Sequence, residues 1–148
     1  MSGYSVRRFR NSDAGFVSEM ENRCFSTPMP WEYIASIPQK ENTIFVVCED
    51  DDGRLAGYAG MMWVLDEGSV ISIAVEDKHR NEGLGSLLMQ ALKEYALDLE
   101  LSSLTLELRS SNLPAKRLYE KNGFSVCGNM KNYYSYPKED AIIMTCYF

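Results

Sequence analysis

A chain of 148 residues with 45% hydrophobic composition can bury a core without covalent staples, and nothing divides it, so one domain over residues 1–148 is expected. Its formal net charge of −6 argues against a nucleic-acid partner, which needs basic patches to neutralise phosphate. Without an apolar N-terminal run, a stretch near the roughly 18 apolar residues of a membrane span, a Cys-x-x-Cys pair or a second histidine, the chain reads as cytoplasmic, with no membrane or metal site and four reduced, mostly core cysteines.

Residues 4–9 alternate as a first strand, and Ser12 and Asp13 offer caps for a helix running to about Cys24, with Phe16, Val17 and Met20 as its apolar stripe. The run Phe25-Ser26-Thr27-Pro28-Met29-Pro30 breaks that helix, and residues 31–37 make a short second one ended by Pro38, a broken segment suited to wall a cleft. Residues 43–48 and 55–64 read as strands joined by the hairpin signal Asp51-Asp52-Gly53-Arg54, and Asp66-Glu67-Gly68 turns the chain into a strand over 69–75. After Arg80-Asn81-Glu82-Gly83-Leu84-Gly85 comes a helix whose Leu84, Leu87, Leu88, Ala91, Leu92 and Tyr95 share one face.

Residues 104–109 alternate strictly, Leu104, Leu106 and Leu108 facing one side and Thr105, Glu107 and Arg109 the other. Asn112 and Pro114 open a last helix ending near Gly123, and strands at about 124–129 and 141–147 finish the chain. The order predicts an α/β fold with a mixed sheet and helices on both faces. The crossover from residue 70 to 108 favours a parallel pair.

The run from Arg80 to Gly85 sits between a strand and a helix, where glycines let backbone approach a ligand and the first helical N–H groups lack intrahelical partners. A phosphate accepts from such groups and is favoured by the helix dipole; the plain alternative is an ordinary strand-to-helix turn. A dinucleotide fingerprint would need glycine at position 88, which is Leu88, and a Walker loop would need lysine after Gly83 or Gly85, where Leu84 and Ser86 stand. The form Arg-x-x-Gly-x-Gly resembles the coenzyme A pyrophosphate loop of the Gcn5-related N-acetyltransferases.

The resemblance widens with Ile71-Ser72-Ile73-Ala74-Val75, Leu106-Glu107-Leu108-Arg109-Ser110-Ser111-Asn112, Leu118-Tyr119-Glu120, Asn122-Gly123-Phe124, and the pair Tyr133-Tyr134 followed by Glu139-Asp140-Ala141-Ile142-Ile143-Met144. Together these are similar to the branch of the family that acetylates the N-terminal alanine of a ribosomal protein. The resemblance implies a mostly antiparallel central sheet with one splayed parallel pair, and acetyl-CoA as cosubstrate. It implies Glu107 as general base and Tyr119 as general acid. Backbone from Ile73, Ala74 and Val75, the loop residues Arg80, Asn81, Glu82, Gly83, Leu84 and Gly85, and Asn112 with Tyr119 would hold the cosubstrate. Trp31, Tyr133, Tyr134 and Asp140 would face the acceptor, a protein N-terminus.

The implied roles suit the chemistry. An α-ammonium of pKa about 8 must lose a proton to react, and a departing thiolate of conjugate pKa about 8.5 can take one from a phenol of pKa about 10. Direct transfer in a ternary complex follows. The chain departs from the family's Phe-x-x-Pro-Trp-Ser/Thr run: Trp31 stands two positions late and Glu32 replaces the hydroxyl residue, so a small amine or another polypeptide is the alternative acceptor. A binding module without turnover is a third reading, in which Glu107 is a surface carboxylate, Tyr119 a core aromatic, and Tyr133, Tyr134 and Asp140 a polar hairpin.

Overall fold

The computed structural model describes residues 3–148; Met1 and Ser2, where the stretch read for a leader begins, lie outside them. The chain runs β1 (Tyr4–Arg8), α1 (Ala14–Cys24), α2 (Trp31–Ala35), β2 (Thr43–Asp50), β3 (Leu55–Val64), β4 (Glu67–Val75), α3 (Leu84–Asp98), β5 (Ser103–Arg109), α4 (Leu113–Lys121), β6 (Ser125–Tyr134) and β7 (Glu139–Tyr147). The expected element order holds. The strands form a seven-stranded sheet ordered β1-β2-β3-β4-β5-β7-β6, in which β4 and β5 are parallel and the other neighbours antiparallel.

Alternation along the central strands sends side chains into two apolar layers. On one face Leu88, Met89 and Leu92 of α3, with Tyr119 of α4, pack on Val46, Ala59, Leu104, Leu106 and Met144. On the other, Val17 and Met20 of α1 and Ile34 of α2 pack on Phe45, Val47 and Tyr58. Burial of each large aliphatic side chain contributes about 1.5–3 kcal/mol, so these layers fix which face each strand residue shows.

Local details depart from expectation for physical reasons. Pro38 does not end α2, which stops at Ala35; Ile37–Gln39 form a 3-10 turn that accepts proline in its opening positions, where an N–H has no helical partner. Asp13 does not cap α1 through its side chain, because its buried carboxylate accepts from Arg10 N at 2.7 Å and from both Nη atoms of Arg7 at 2.9 Å. The last two strands are longer than expected, since pairing with β7 carries β6 through polar residues to Tyr134. Cys48 and Cys146 are buried but Cys24 and Cys127 are exposed, so only half of the cysteines are core.

One irregularity places the site. Gly60 of β3 pairs with Ser72 while Met61 pairs with Val70, which leaves Ile71 as an extra residue in β4. A bulge bends its strand and increases local twist. This one falls just past the last β4 residue paired with β5, because the parallel ladder covers only Glu67, Ser69 and the glycine between them. Beyond Ser69 the two strands part, and among the described residues no strand pairs with that edge of β4.

Candidate active site

The segment after β4 makes a single 3-10 turn over Asp77–His79 and then enters left-handed backbone at Asn81 (φ 66°) and Gly83 (φ 76°). Gly83 is the N-cap of α3, and no side chain caps that end. The first N–H groups of α3 therefore lack a side-chain acceptor, in a loop where glycine supplies the positive φ without steric cost. Gly85 lets α3 lie close to α4, since a Cβ there would fall 2.8 Å from Leu118 Cδ2.

The parting of β4 and β5 opens a cavity of about 1200 Å³. It is lined by Ile73, Ala74 and Val75, by Arg80, Asn81, Gly83, Leu84 and Gly85, and by Asn112, Glu107, Tyr119, Tyr133 and Tyr134. Asn112 also accepts from Ala115 N at 3.3 Å as the N-cap of α4. Three candidates lie elsewhere: Glu82 is exposed and outside the lining, Trp31 is 53% exposed on α2, and Asp140 accepts from Asn132 N at 2.9 Å, holding a bulge of the last hairpin. Of the acidic residues outside the cavity, Glu49 pairs with Arg7 at 3.1 Å and Asp50 accepts from the N–H groups of Asp52 and Arg54, so local structure occupies them.

Glu107 projects from β5 on the face opposite the leucines and is exposed, with Tyr133 Oη at a long 3.5 Å from its Oε1. Its charge raises the Tyr133 phenol above the ordinary tyrosine value, with burial adding to the effect. Tyr134 is pushed up to about 12 by burial first and the Glu107 charge second. Tyr119, 8% exposed on α4 and tilted against Phe124 at 6.1 Å between ring centroids, is pushed up to about 12 by burial and then by Tyr134. The cavity thus combines an accessible carboxylate with a phenol that keeps its proton through the physiological range. It also holds a glycine-built helix N-terminus and an unpaired strand edge.

Sequence reading missed Glu21. This α1 carboxylate, 2% exposed, lines the cavity and accepts from Tyr58 Oη, from Ser72 Oγ at 2.6 Å and from Met29 N at 2.9 Å. The signal was present: Glu21 lies four residues after Val17 and beside Met20, on the apolar stripe of α1, where a solvated glutamate does not belong. Phe25, Ser26, Thr27 and Met29, in place of Trp31, form the wall between α1 and α2. Arg109 completes the lining from β5.

Among the described residues no cluster of three His, Cys, Asp or Glu side chains has a metal-site arrangement, and no helix is long and apolar enough to cross a membrane. Residues 12–124 match the acetyltransferase (GNAT) family. A Bacillus subtilis (strain 168) chain named as a candidate ribosomal protein bS18-alanine N-acetyltransferase is 35% identical over 95% of this chain and 93% of its own. The ribosomal protein bS18-alanine N-acetyltransferase of Escherichia coli (strain K12) is 30% identical, with 95% of each chain covered. The crystal structure of the ribosomal-protein-S18-alanine N-acetyltransferase from Escherichia coli superposes with a TM-score of 0.87 at 30% identity, covering 97% of this chain and 93% of that one.

Proposed function

The chain belongs to the acetyltransferase (GNAT) family, and from that membership we propose that it moves the acetyl group of acetyl-CoA directly to the N-terminal α-amine of a protein, a ribosomal protein beginning with alanine. One observation carries the reading: Glu107 from β5 and Tyr119 from α4 line the same cavity as the glycine loop. The residues present fit the cosubstrate. Gly83 at φ 76° opens a helix end that no side chain caps, and Arg80 and Lys121 are cations in the lining suited to phosphate.

Acetyl-CoA supplies an activated acetyl thioester. Glu107 accepts a proton from the acceptor ammonium, whose pKa of about 8 leaves it mostly unreactive at neutral pH. The freed amine forms the new C–N bond as the C–S bond breaks, and the second proton the nitrogen sheds on becoming an amide replaces the one that Tyr119 gives up. Tyr119, held protonated by burial, gives its proton to the departing sulfur. Backbone N–H groups on the unpaired edge of β4 offset charge developing on the carbonyl oxygen in this reading, which the short β4–β5 ladder supports.

Release of coenzyme A by the purified protein tests this, using a peptide beginning Ala-Arg, the same peptide with a blocked N-terminus and a panel of free amines. Turnover restricted to the free terminus is expected. Turnover on amines alone would reassign the acceptor, an outcome favoured by the late Trp31 and by Glu32, and binding without turnover on any acceptor would remove the enzymatic reading.

A further inference from the structure

Arg109 stands two residues beyond Glu107 on the same face of β5, and its guanidinium meets both walls of the cavity. Toward the β6–β7 hairpin, Nη1 donates to Pro137 O at 2.8 Å and to Glu139 Oε1 at 3.2 Å, and Nη2 donates to Ser135 O at 3.2 Å. Toward the α1–α2 segment, Nη2 donates to Ser26 Oγ at 3.0 Å. The plane of the group also lies over the Tyr134 ring, 4.5 Å from its centroid. Glu139 is itself fixed by Ser111 N at 2.6 Å and Ser110 Oγ at 3.3 Å, so the hairpin side of the network is braced against the end of β5. Only a flat fork with several donors satisfies partners in these directions at once while stacking on a ring; an ammonium cannot.

We infer that Arg109 is the joint that holds the two walls of the acceptor cleft in register, a positioning residue that sets acceptor fit without touching the reacting atoms. The Ser26 bond is the link across the cleft. The hairpin contacts orient Tyr134 beside Glu107 and Tyr119. The α2 end of the segment is already tied down where Met29 N meets Glu21, so losing the Ser26 link frees the stretch between Cys24 and Met29 and not that end. A helix-to-helix connection tied at one end samples more positions, and an acceptor must then order it on binding.

The inference rests on the proposed acetyl transfer to a protein N-terminus, and its test separates the two. Ser26→Ala, Arg109→Met and Arg109→Lys are assayed with the Ala-Arg peptide, acetyl-CoA affinity is measured directly, and amide exchange is followed by mass spectrometry over residues 25–30 and 133–139. Ser26→Ala is expected to raise peptide KM about three- to tenfold, as for loss of one hydrogen bond. The arginine variants should raise it further, and KM should change more than kcat. Acetyl-CoA affinity should stay at the wild-type value in Ser26→Ala. Arg109→Lys should resemble Arg109→Met and not wild type. Exchange should quicken in 25–30 for every variant and in 133–139 for the arginine variants alone.

Unchanged peptide KM in an active Ser26→Ala, or an equal rise in KM from Arg109→Lys and loss of acetyl-CoA affinity, would overturn the joint. If the wild type acetylates no free N-terminus, the functional reading fails and exchange alone decides: quickening in 25–30 sustains the joint, and unchanged exchange removes it. Should Arg109→Met not fold, Ser26→Ala carries the test.

Discussion

Glu107 and Tyr119 reach the cavity from opposite environments, and that contrast sets their expected behaviour. Glu107→Gln should lower kcat about 10²–10⁴-fold, the usual worth of a positioned acid or base, while acetyl-CoA affinity stays near wild type. Tyr119→Phe should act likewise from the leaving-group side; full rate in either variant would remove that residue from the chemistry. Because burial lifts Tyr119 to about 12, the acid form persists well above neutral pH. The rate should climb with pH as the ammonium of pKa about 8 deprotonates, with no alkaline fall from Tyr119 until well above pH 10. The same shift has a stability consequence of definite sign. The folded state holds this proton more tightly than the unfolded chain, so the contribution is complete below about pH 10 and is lost as pH rises toward 12. Denaturant titrations at pH 9 and 11.5 should show a smaller alkaline loss in Tyr119→Phe. The family resemblance led one to expect both residues beside the glycine loop, and they line one cavity with it; the same resemblance put Asp140 and Trp31 at the acceptor, and local hydrogen bonding and exposure leave them outside the cavity lining.

Among the elements, the connection from α1 to α2 and the loop before α3 carry the clearest expectations. In Glu21→Gln the buried amide can keep an acceptor oxygen for only some of its donors, so Met29 N or the pair of hydroxyls from Tyr58 and Ser72 loses its partner. A cost of about 1–3 kcal/mol in urea unfolding is expected, with the α1–α2 segment loosened. Gly83→Ala forces a side chain into left-handed backbone at φ 76°, which costs about 1–2 kcal/mol, and should weaken acetyl-CoA binding measured by calorimetry more than it changes peptide KM. Gly60→Ala would place a Cβ 2.3 Å from the Phe45 ring, and about 1–3 kcal/mol of destabilisation is expected as that ring leaves its layer. Period-2 and period-3.6 patterns made the elements readable because each buries one face. The bulge at Ile71 was not readable, because an extra residue in β4 shows only when its partner β3 is laid beside it. The Glu21 network was also hidden, since its donors come from positions as distant as Met29, Tyr58 and Ser72.

The whole molecule carries a formal charge of −6, which favours a cationic acceptor and opposes an anionic cosubstrate. Added salt should therefore lower kcat/KM for a basic peptide, and steady-state assays between 20 and 300 mM salt, over which the Debye length falls from about 20 Å to about 6 Å, measure it. A flat response would show that encounter is governed by the cleft alone. The overall architecture was legible as an order of elements and a parallel crossover, and the family resemblance implied that the parallel pair would splay, but the residue at which β4 and β5 part was not, because pairing length depends on twist and not on pattern. That division reaches beyond catalysis. Strands β2 to β4 are hairpin-connected neighbours within residues 43–75, with β1 joined to β2 through α1 and α2, and β5 to β7 form a second block within 103–147, with three residue pairs of β4 and β5 as the sheet contact between them. The crossover through α3 that joins the blocks, residues 76–102, is shorter than the connection from β1 to β2 through α1 and α2, so the weakness of the junction lies in its short ladder and not in loop entropy. The cleft thus lies at the seam of the two blocks, and amide exchange on warming is expected to quicken first in the short β4–β5 ladder, residues 67–69 and 103–105. A coenzyme lying along such a seam acts as a clasp: at a concentration one hundred times its Kd it would add about 2.7 kcal/mol to the stability of the entire chain.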